Sequence, residues 1–127
     1  MTQENKDLLL KDLCARLPYG VKVEIYKDEP PYNIKGYDGK DFLSDSGWDY
    51  LIEQCKPYLF PLSSMTNQQK EEFNTKSLEL QLKVIDDEIM YEKATEFQVD
   101  FYNKHHLDWR GLIPMGLAID ATDLNIY

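Results

Sequence analysis

Residues 18–61 are broken too often for a long helix to form there. Pro18, Gly20, the Pro30-Pro31 pair, Gly39, Gly47, Pro57 and Pro61 interrupt the segment. A proline inside a helix removes a backbone donor and clashes with the preceding turn, and glycine marks turns. What lies between the breakers alternates. In VKVEIYK, residues 21–27, Val21, Val23 and Ile25 point one way while Lys22, Glu24 and Tyr26 point the other, as in a half-buried strand. A second strand starts at Tyr32 and Ile34. Asp38-Gly39 is a strong hairpin-turn signal, and Phe42 and Leu43 open a third short strand beyond it. Residues 44–47 form a loop. Residues 48–59 fit either a strand running into a turn or a single helical turn.

Helical patterns flank this region. Residues 5–17 place Leu9, Leu10, Leu13, Cys14 and Leu17 at spacings of three and four, an amphipathic helix that Pro18 ends. Thr66 with Gln69 three residues on is a capping-box pattern, predicting a short helix over 67–74. In SLELQLKVI, Leu78, Leu80, Leu82 and Val84 alternate with polar residues, which predicts a strand although these residue types also favour helix. Residues 86–88 read as a charged turn. YEKATEFQVDFYNKHH, residues 91–106, reads as the last helix, with Ala94, Phe97, Phe101 and His105 toward the core. There is no internal repeat or linker, so the chain reads as one domain, 1–127. The predicted class is α+β, a twisted antiparallel sheet with N- and C-terminal helices packed on it. An open sheet and a small curled, barrel-like meander are both compatible with the pattern.

Of the 127 residues, 43% are hydrophobic, enough for a substantial core. The two cysteines, Cys14 and Cys55, lie in no metal-like spacing and read as reduced core residues. The N-terminal residues lack the pattern of a signal peptide, and no stretch approaches the ~20 apolar residues of a membrane span. A cytoplasmic protein is therefore expected. With 14 basic and 23 acidic residues the net charge is −9, which disfavours direct binding to nucleic-acid backbones and steers the chain toward basic partners.

HHLDWR, residues 105–110, is the densest cluster of unusual side chains. Adjacent helical residues diverge by about 100°, so His105 and His106 are poorly placed to share one metal ion. His106 and Asp108 can still meet across a turn. A small metal-dependent or His/Asp hydrolase using His105, His106, Asp108 and Arg110 is the alternative to a structural role. On the structural reading, the histidines sit as cations at the helix C-terminus. Trp109 covers the open edge of the core, Arg110 forks across Asp108, Asp120 or a carbonyl, and Gly111 takes a left-handed conformation. The apolar residues 112–119 then dock onto the body. Trp109→Ala is expected to cost ~3 kcal/mol or more on this reading. No P-loop, GxSxG, HExxH or dinucleotide fingerprint is present, so neither an enzyme nor a cofactor is expected.

The other candidate surface is acidic and tyrosine-rich. Asp28-Glu29, Asp38 with Asp41, Asp45 with Asp49, and Asp86-Asp87-Glu88 recur in predicted turns, with Tyr32 and Tyr37 among them. Nine tyrosines, each with an apolar body and a polar tip, suit a binding surface as well as they suit strands. An array of this kind can occupy a basic groove on a partner protein.

KPYLFPLSSMT (56–66) followed by FYNKHHLDWRGLIPMGLAIDA (101–121) resembles a group of small bacterial and bacteriophage proteins with KPYLxPLSSMT-like and NKHHxDxRGLI-like segments. LPYGVKV (17–23) fits the same group, while residues 28–49 are free to vary. The group carries no assigned activity, and the resemblance transfers no catalytic residue. It implies a phage or mobile-element accessory protein directed at a host protein. Taken with the charge, the expected function is a non-enzymatic interaction module that occludes a host protein, in its sharpest form an inhibitor of a nucleic-acid-handling defence protein. A virion structural or assembly protein is the remaining alternative.

Overall fold

A computed structural model of the chain describes residues 1–84 and 88–127, and side chains outside residues 81–94. Helix α1 (Gln3–Arg16) opens on Thr2, whose hydroxyl accepts from the Asn5 backbone N–H at 3.1 Å and satisfies one of the unpaired donors of the first turn. Leu9 and Leu13, one turn apart, are buried. After a 3₁₀ turn through Pro18 the chain reverses at Gly20, whose φ of +76° suits a residue without a Cβ.

The strands are short, as the breakers require. They are β1 (Lys22–Glu24), β2 (Tyr32–Tyr37), β3 (Phe42–Ser44), β4 (Asp49–Tyr50), β5 (Lys56–Leu59) and β6 (Ile119–Asp120). They form an open sheet in the order β4-β3-β2-β1-β5-β6. Both sequence readings of residues 48–59 come true in succession, since a 3₁₀ turn at Ile52–Gln54 separates β4 from β5. The pairings are antiparallel except the last, where β6 lies parallel to β5 with Tyr58 opposite Ile119. The sheet is therefore mixed rather than purely antiparallel, and it does not close into a barrel. The parallel strand comes from the tail, which no local turn signal could reveal.

The core joins α1, the sheet and the tail. Leu9 and Leu13 pack in one cluster with Val21, Val23, Ile34 and Phe42, and Leu112, Leu117 and Ala118 of the tail complete it. The tail thus docks as expected. Cys14 and Cys55 are free thiols, half-buried and buried. Burial raises both thiol pKa values, that of Cys55 to about 12.

Helix α2 (Asn67–Val84) is longer than predicted. The capping box is present: Gln69 N–H donates to the Thr66 hydroxyl at 3.1 Å, and Thr66 N–H donates to Gln69 Oε1 at 2.9 Å. The helix then continues through residues 77–84 of the segment expected as a strand, and Ile85 lies outside the described residues. Leu78, expected on a buried sheet face, is 58% exposed, while Ser77 beside it is buried. Leu, Glu, Gln and Lys all favour helix, and a chance alternation of leucines does not outweigh that preference without a sheet to receive them. Helix α3 (Glu88–Lys104) starts at Glu88, earlier than expected, while Asp86 and Asp87 of the predicted turn lie outside the described residues. Phe73 of α2 packs against Phe97, Phe101 and Tyr102 of α3, which sets the start of α2 beside the end of α3.

Candidate functional site

The histidine-rich stretch is built as a knot that ties the tail down. Helix α3 ends in a Schellman motif: His106 N–H donates to the Asn103 carbonyl and Leu107 N–H to the Tyr102 carbonyl, at 3.2 and 2.8 Å. The left-handed residue this motif needs is His106, at φ +58°. Gly111, the sequence candidate, has φ +77° in the following turn and serves no helix cap. The carboxylate of Asp108 accepts from Leu112 and Ile113 N–H at 2.8 and 2.9 Å, so it holds that turn and is not free to receive Arg110. Arg110 instead reaches back to α1, where its Nε donates to Asp12 Oδ1 at 3.1 Å. Asp12 also accepts two bonds from Arg16, which donates in turn to the Leu107 carbonyl at 2.7 Å. Asp12 and Arg16 are fully buried. One carboxylate between two guanidiniums joins the first helix to the tail.

The two imidazoles part company. His105 is half-buried and packs at a tilt against Phe101, 4.4 Å between ring centres, whereas His106 lies flat on Tyr127 at 3.6 Å with its Nδ1 buried. Burial lowers both pKa values, that of His106 to about 4, with Arg16 a further cause for His106 and Lys104 for His105. They are neutral at physiological pH, so the expected attraction of imidazolium cations to the helix terminus does not operate. His105 borders a small hollow of about 280 Å³ with Ser64, Thr66 and Asp123. The Ser64 hydroxyl donates to the Pro61 carbonyl, and Gln69 stands at 3.5 Å from His105 Nδ1. Trp109 is half-buried. Its indole N–H donates to Asn103 at 3.1 Å, its ring stacks on Tyr102, and Arg110 lies 4.0 Å over its face. It covers the end of α3, and a half-buried indole costs less to lose than a fully buried one.

A second region has no such internal use. Tyr26 after β1, Tyr32 on β2, Trp48 just before β4, and Asp49 and Tyr50 of β4 itself line a cleft of about 520 Å³, together with Ser46 and Gln54. Tyr50 is buried and packs against Tyr26 and Tyr32, at ring separations of 6.2 and 5.7 Å. Trp48 is 71% exposed. The Tyr32 hydroxyl donates to Glu29 at 2.5 Å, and that bond, more than desolvation, pushes its pKa up to about 12. Among the described residues, Asp49 is the one charged residue at the cleft, and as the neighbour of Tyr50 in β4 it turns its side chain to the opposite face of the sheet.

Asp49 is also where the cleft meets the acidic turns. The strand register sets Asp49 opposite Leu43, and Asp41 two residues earlier lies on the same side. The carboxylates of Asp38, Asp41 and Asp49 come within 4.8 Å of one another. Asp38 is partly engaged, since its Oδ1 accepts from Asp41 and Lys40 N–H; these bonds hold its pKa below the usual carboxylate range, with the Lys40 charge a smaller cause. The other predicted residues divide. Glu29 joins the cleft through Tyr32, and Asp28 sits exposed beside it at φ +71°. Asp45 turns to Asn33, accepting from its amide at 2.8 Å, and Tyr37 packs on Phe42. Glu88 begins α3 at a distance in sequence from these turns, and Asp86 and Asp87 are outside the described residues.

Sequence reasoning missed Tyr26, Trp48 and Tyr50. The available signal was Trp48-Asp49-Tyr50 directly after the Ser44–Gly47 loop, two aromatics beside a turn where exposure is the rule. Comparison with protein-family models, with curated proteins and with solved structures gives no match for this chain. No helix among the described residues is long and apolar enough to cross a membrane.

Proposed function

We propose that the chain is a non-enzymatic interaction module, acting in the cytoplasm, that occludes a basic groove on a host protein. A nucleic-acid-handling defence protein is the sharpest form of that partner, and a phage or mobile element the source of the module. The observation that carries this reading is Trp48, 71% exposed at the mouth of an aromatic cleft and adjacent to Asp49, where three carboxylates converge. An exposed indole costs free energy in water and belongs to the residue types that dominate interface hot spots. The net charge of −9 supplies the long-range attraction to a basic surface. The rival hydrolase reading is weakened because Asp108 and Arg110 are committed to holding the tail, and the two imidazoles pack against different rings.

Affinity capture from host lysate tests the proposal, with the unmodified chain beside Trp48→Ala and Asp49→Lys. The expected result is a basic, nucleic-acid-binding protein retained by the unmodified chain and lost with both variants, at unchanged melting temperature. Captured proteins that are neither basic nor nucleic-acid-binding, or equal capture by all three chains, would overturn it.

A further inference from the structure

We infer that β4 takes up an extended strand of the partner along its open edge, with a basic residue of that strand against Asp38, Asp41 and Asp49 and its apolar neighbours on the opposite face, against Trp48 and Tyr26. The inference rests on the reading of this region as the binding surface and adds the conformation and side-chain pattern of what binds there.

Three features of β4 carry the inference. The first is its backbone. β4 is the last strand on one side of the sheet. Ser44 N–H donates to the Trp48 carbonyl at 3.2 Å, and Asp49 stands opposite Leu43. Backbone groups of an antiparallel pair face alternately inward and outward, so Trp48 and Tyr50 turn theirs to β3 while the N–H and carbonyl of Asp49 point away. No described residue bonds to either group, and Asp49 is exposed. An unpaired donor and acceptor on an open edge are what a further strand pairs with. On either side the outward donors are used internally, Gly47 N–H by the Ser44 carbonyl and Leu51 N–H by Gln54. The pairing is therefore short, and the two side-chain faces must supply the rest of the affinity. The second feature is the aromatic face. Trp48 is 71% and Tyr26 48% exposed, and both line the cleft backed by buried Tyr50. The third is the carboxylate face. The oxygens of Asp38, Asp41 and Asp49 lie within 4.8 Å of one another, and no described basic side chain forms an ion pair with any of the three. Like charges gathered this closely repel, and one cation set among them relieves all three contacts. The residue paired with Asp49 presents its side chain on the carboxylate face, and the residues on either side of it present theirs on the aromatic face. A strand that reads apolar–basic–apolar thus satisfies the backbone, the indole and the carboxylates together.

The test uses an acetylated, amidated peptide, Ser-Thr-Val-Lys-Val-Thr-Ser. Binding to the full chain is followed by the NMR signals of the Asp49 amide and the Trp48 indole N–H, assigned with Asp49→Asn and Trp48→Ala. The peptide is expected to move both signals and to slow hydrogen exchange at the Asp49 amide. Three changes are each expected to weaken binding by about fivefold or more: moving lysine one place to give Ser-Thr-Lys-Val-Val-Thr-Ser, methylating the lysine backbone nitrogen, or replacing Asp41 and Asp49 together by Asn. Methylating the nitrogen of the following valine, which points away from β4, is expected to leave binding within about twofold. Equal binding after any of the three changes overturns the inference, as does no movement of the Asp49 amide at millimolar peptide. The two layers fail separately. If capture of the partner is lost with Trp48→Ala but the peptide neither binds nor competes, the face is the interface and the added strand is wrong. If capture survives Trp48→Ala, the face itself is wrong.

Discussion

At the scale of single residues, the buried charges of the tail knot and the exposed indole of the cleft have opposite consequences. Asp12 lies fully buried between Arg16 and Arg110. Removing it leaves two guanidiniums facing each other without an anion, and breaking a buried ion network from one side costs about 3–5 kcal/mol. Asp12→Ala is therefore expected to lower the unfolding free energy measured in urea by an amount in that range, whereas Trp48→Ala, truncating a side chain already in water, should change it by less than about 0.5 kcal/mol. His106 adds a pH dependence whose sign follows from its neutral, stacked state. Its pKa falls from about 6.5 to about 4 on folding, so below pH 6.5 the unfolded chain takes up a proton that the folded chain refuses. Stability is then full above pH 6.5 and declines as pH falls toward 4, by about 2 kcal/mol after allowance for screening at a half-buried ring. Denaturant melts at stepped pH check this. In His106→Asn, chosen because Asn tolerates the left-handed backbone, most of the slope should disappear. What remains comes from His105, shifted in the same direction, and toward pH 4 from carboxylates such as Glu53, Asp38 and Asp120 that folding holds below their usual range. An unchanged slope in that variant would mean that other groups carry it.

At the scale of elements, what could be read in the sequence depended on whether the deciding interaction was local. The Thr66–Gln69 capping box, the Asp38-Gly39 turn and the stop at Pro18 are settled by neighbours within four residues, and all three are present. The strand expected over 77–85 gives way to helix as far as Val84 because alternation is necessary but not sufficient: a strand also needs a partner edge, and here helix-favouring residues simply extend α2, which packs on α3 through Phe73. Gly111 does take the left-handed conformation expected of it, but the cap of α3 falls to His106, a residue that tolerates positive φ without announcing it. The candidate site was half legible for the same reason. Turn carboxylates are visible in sequence, but the strand register that gathers Asp38, Asp41 and Asp49 is not. One substitution separates the helix from the strand directly. Leu78→Glu should change stability by no more than about 0.5 kcal/mol, because Leu78 is exposed on α2 and Glu is a good helix former. On the face of a buried strand the same change would cost several times that, so a large drop in melting temperature would return the segment to the sheet.

At the scale of the whole molecule, stability and recognition occupy different parts of the fold. The knot joins α1 to the tail through Asp12, Arg16 and Arg110, while the cleft lies among the turns that flank β2 and β4. Substitutions in the two regions share no partner and should act additively. This separation gives the proposed occlusion a property that a simple count of acidic residues does not. If the module sits in a basic groove, it competes with the nucleic acid that the groove serves, and both are drawn by the same field. Raising ionic strength should then slow association far more than it speeds dissociation, since long-range attraction is screened while the packed aromatic contact is not. Trp48→Ala should do the reverse, speeding dissociation with little effect on association. Stopped-flow mixing with the captured partner measures both rates, and added nucleic acid should displace the chain competitively. A stable ternary complex of partner, nucleic acid and this chain would place the contact outside the groove and remove occlusion as the mechanism.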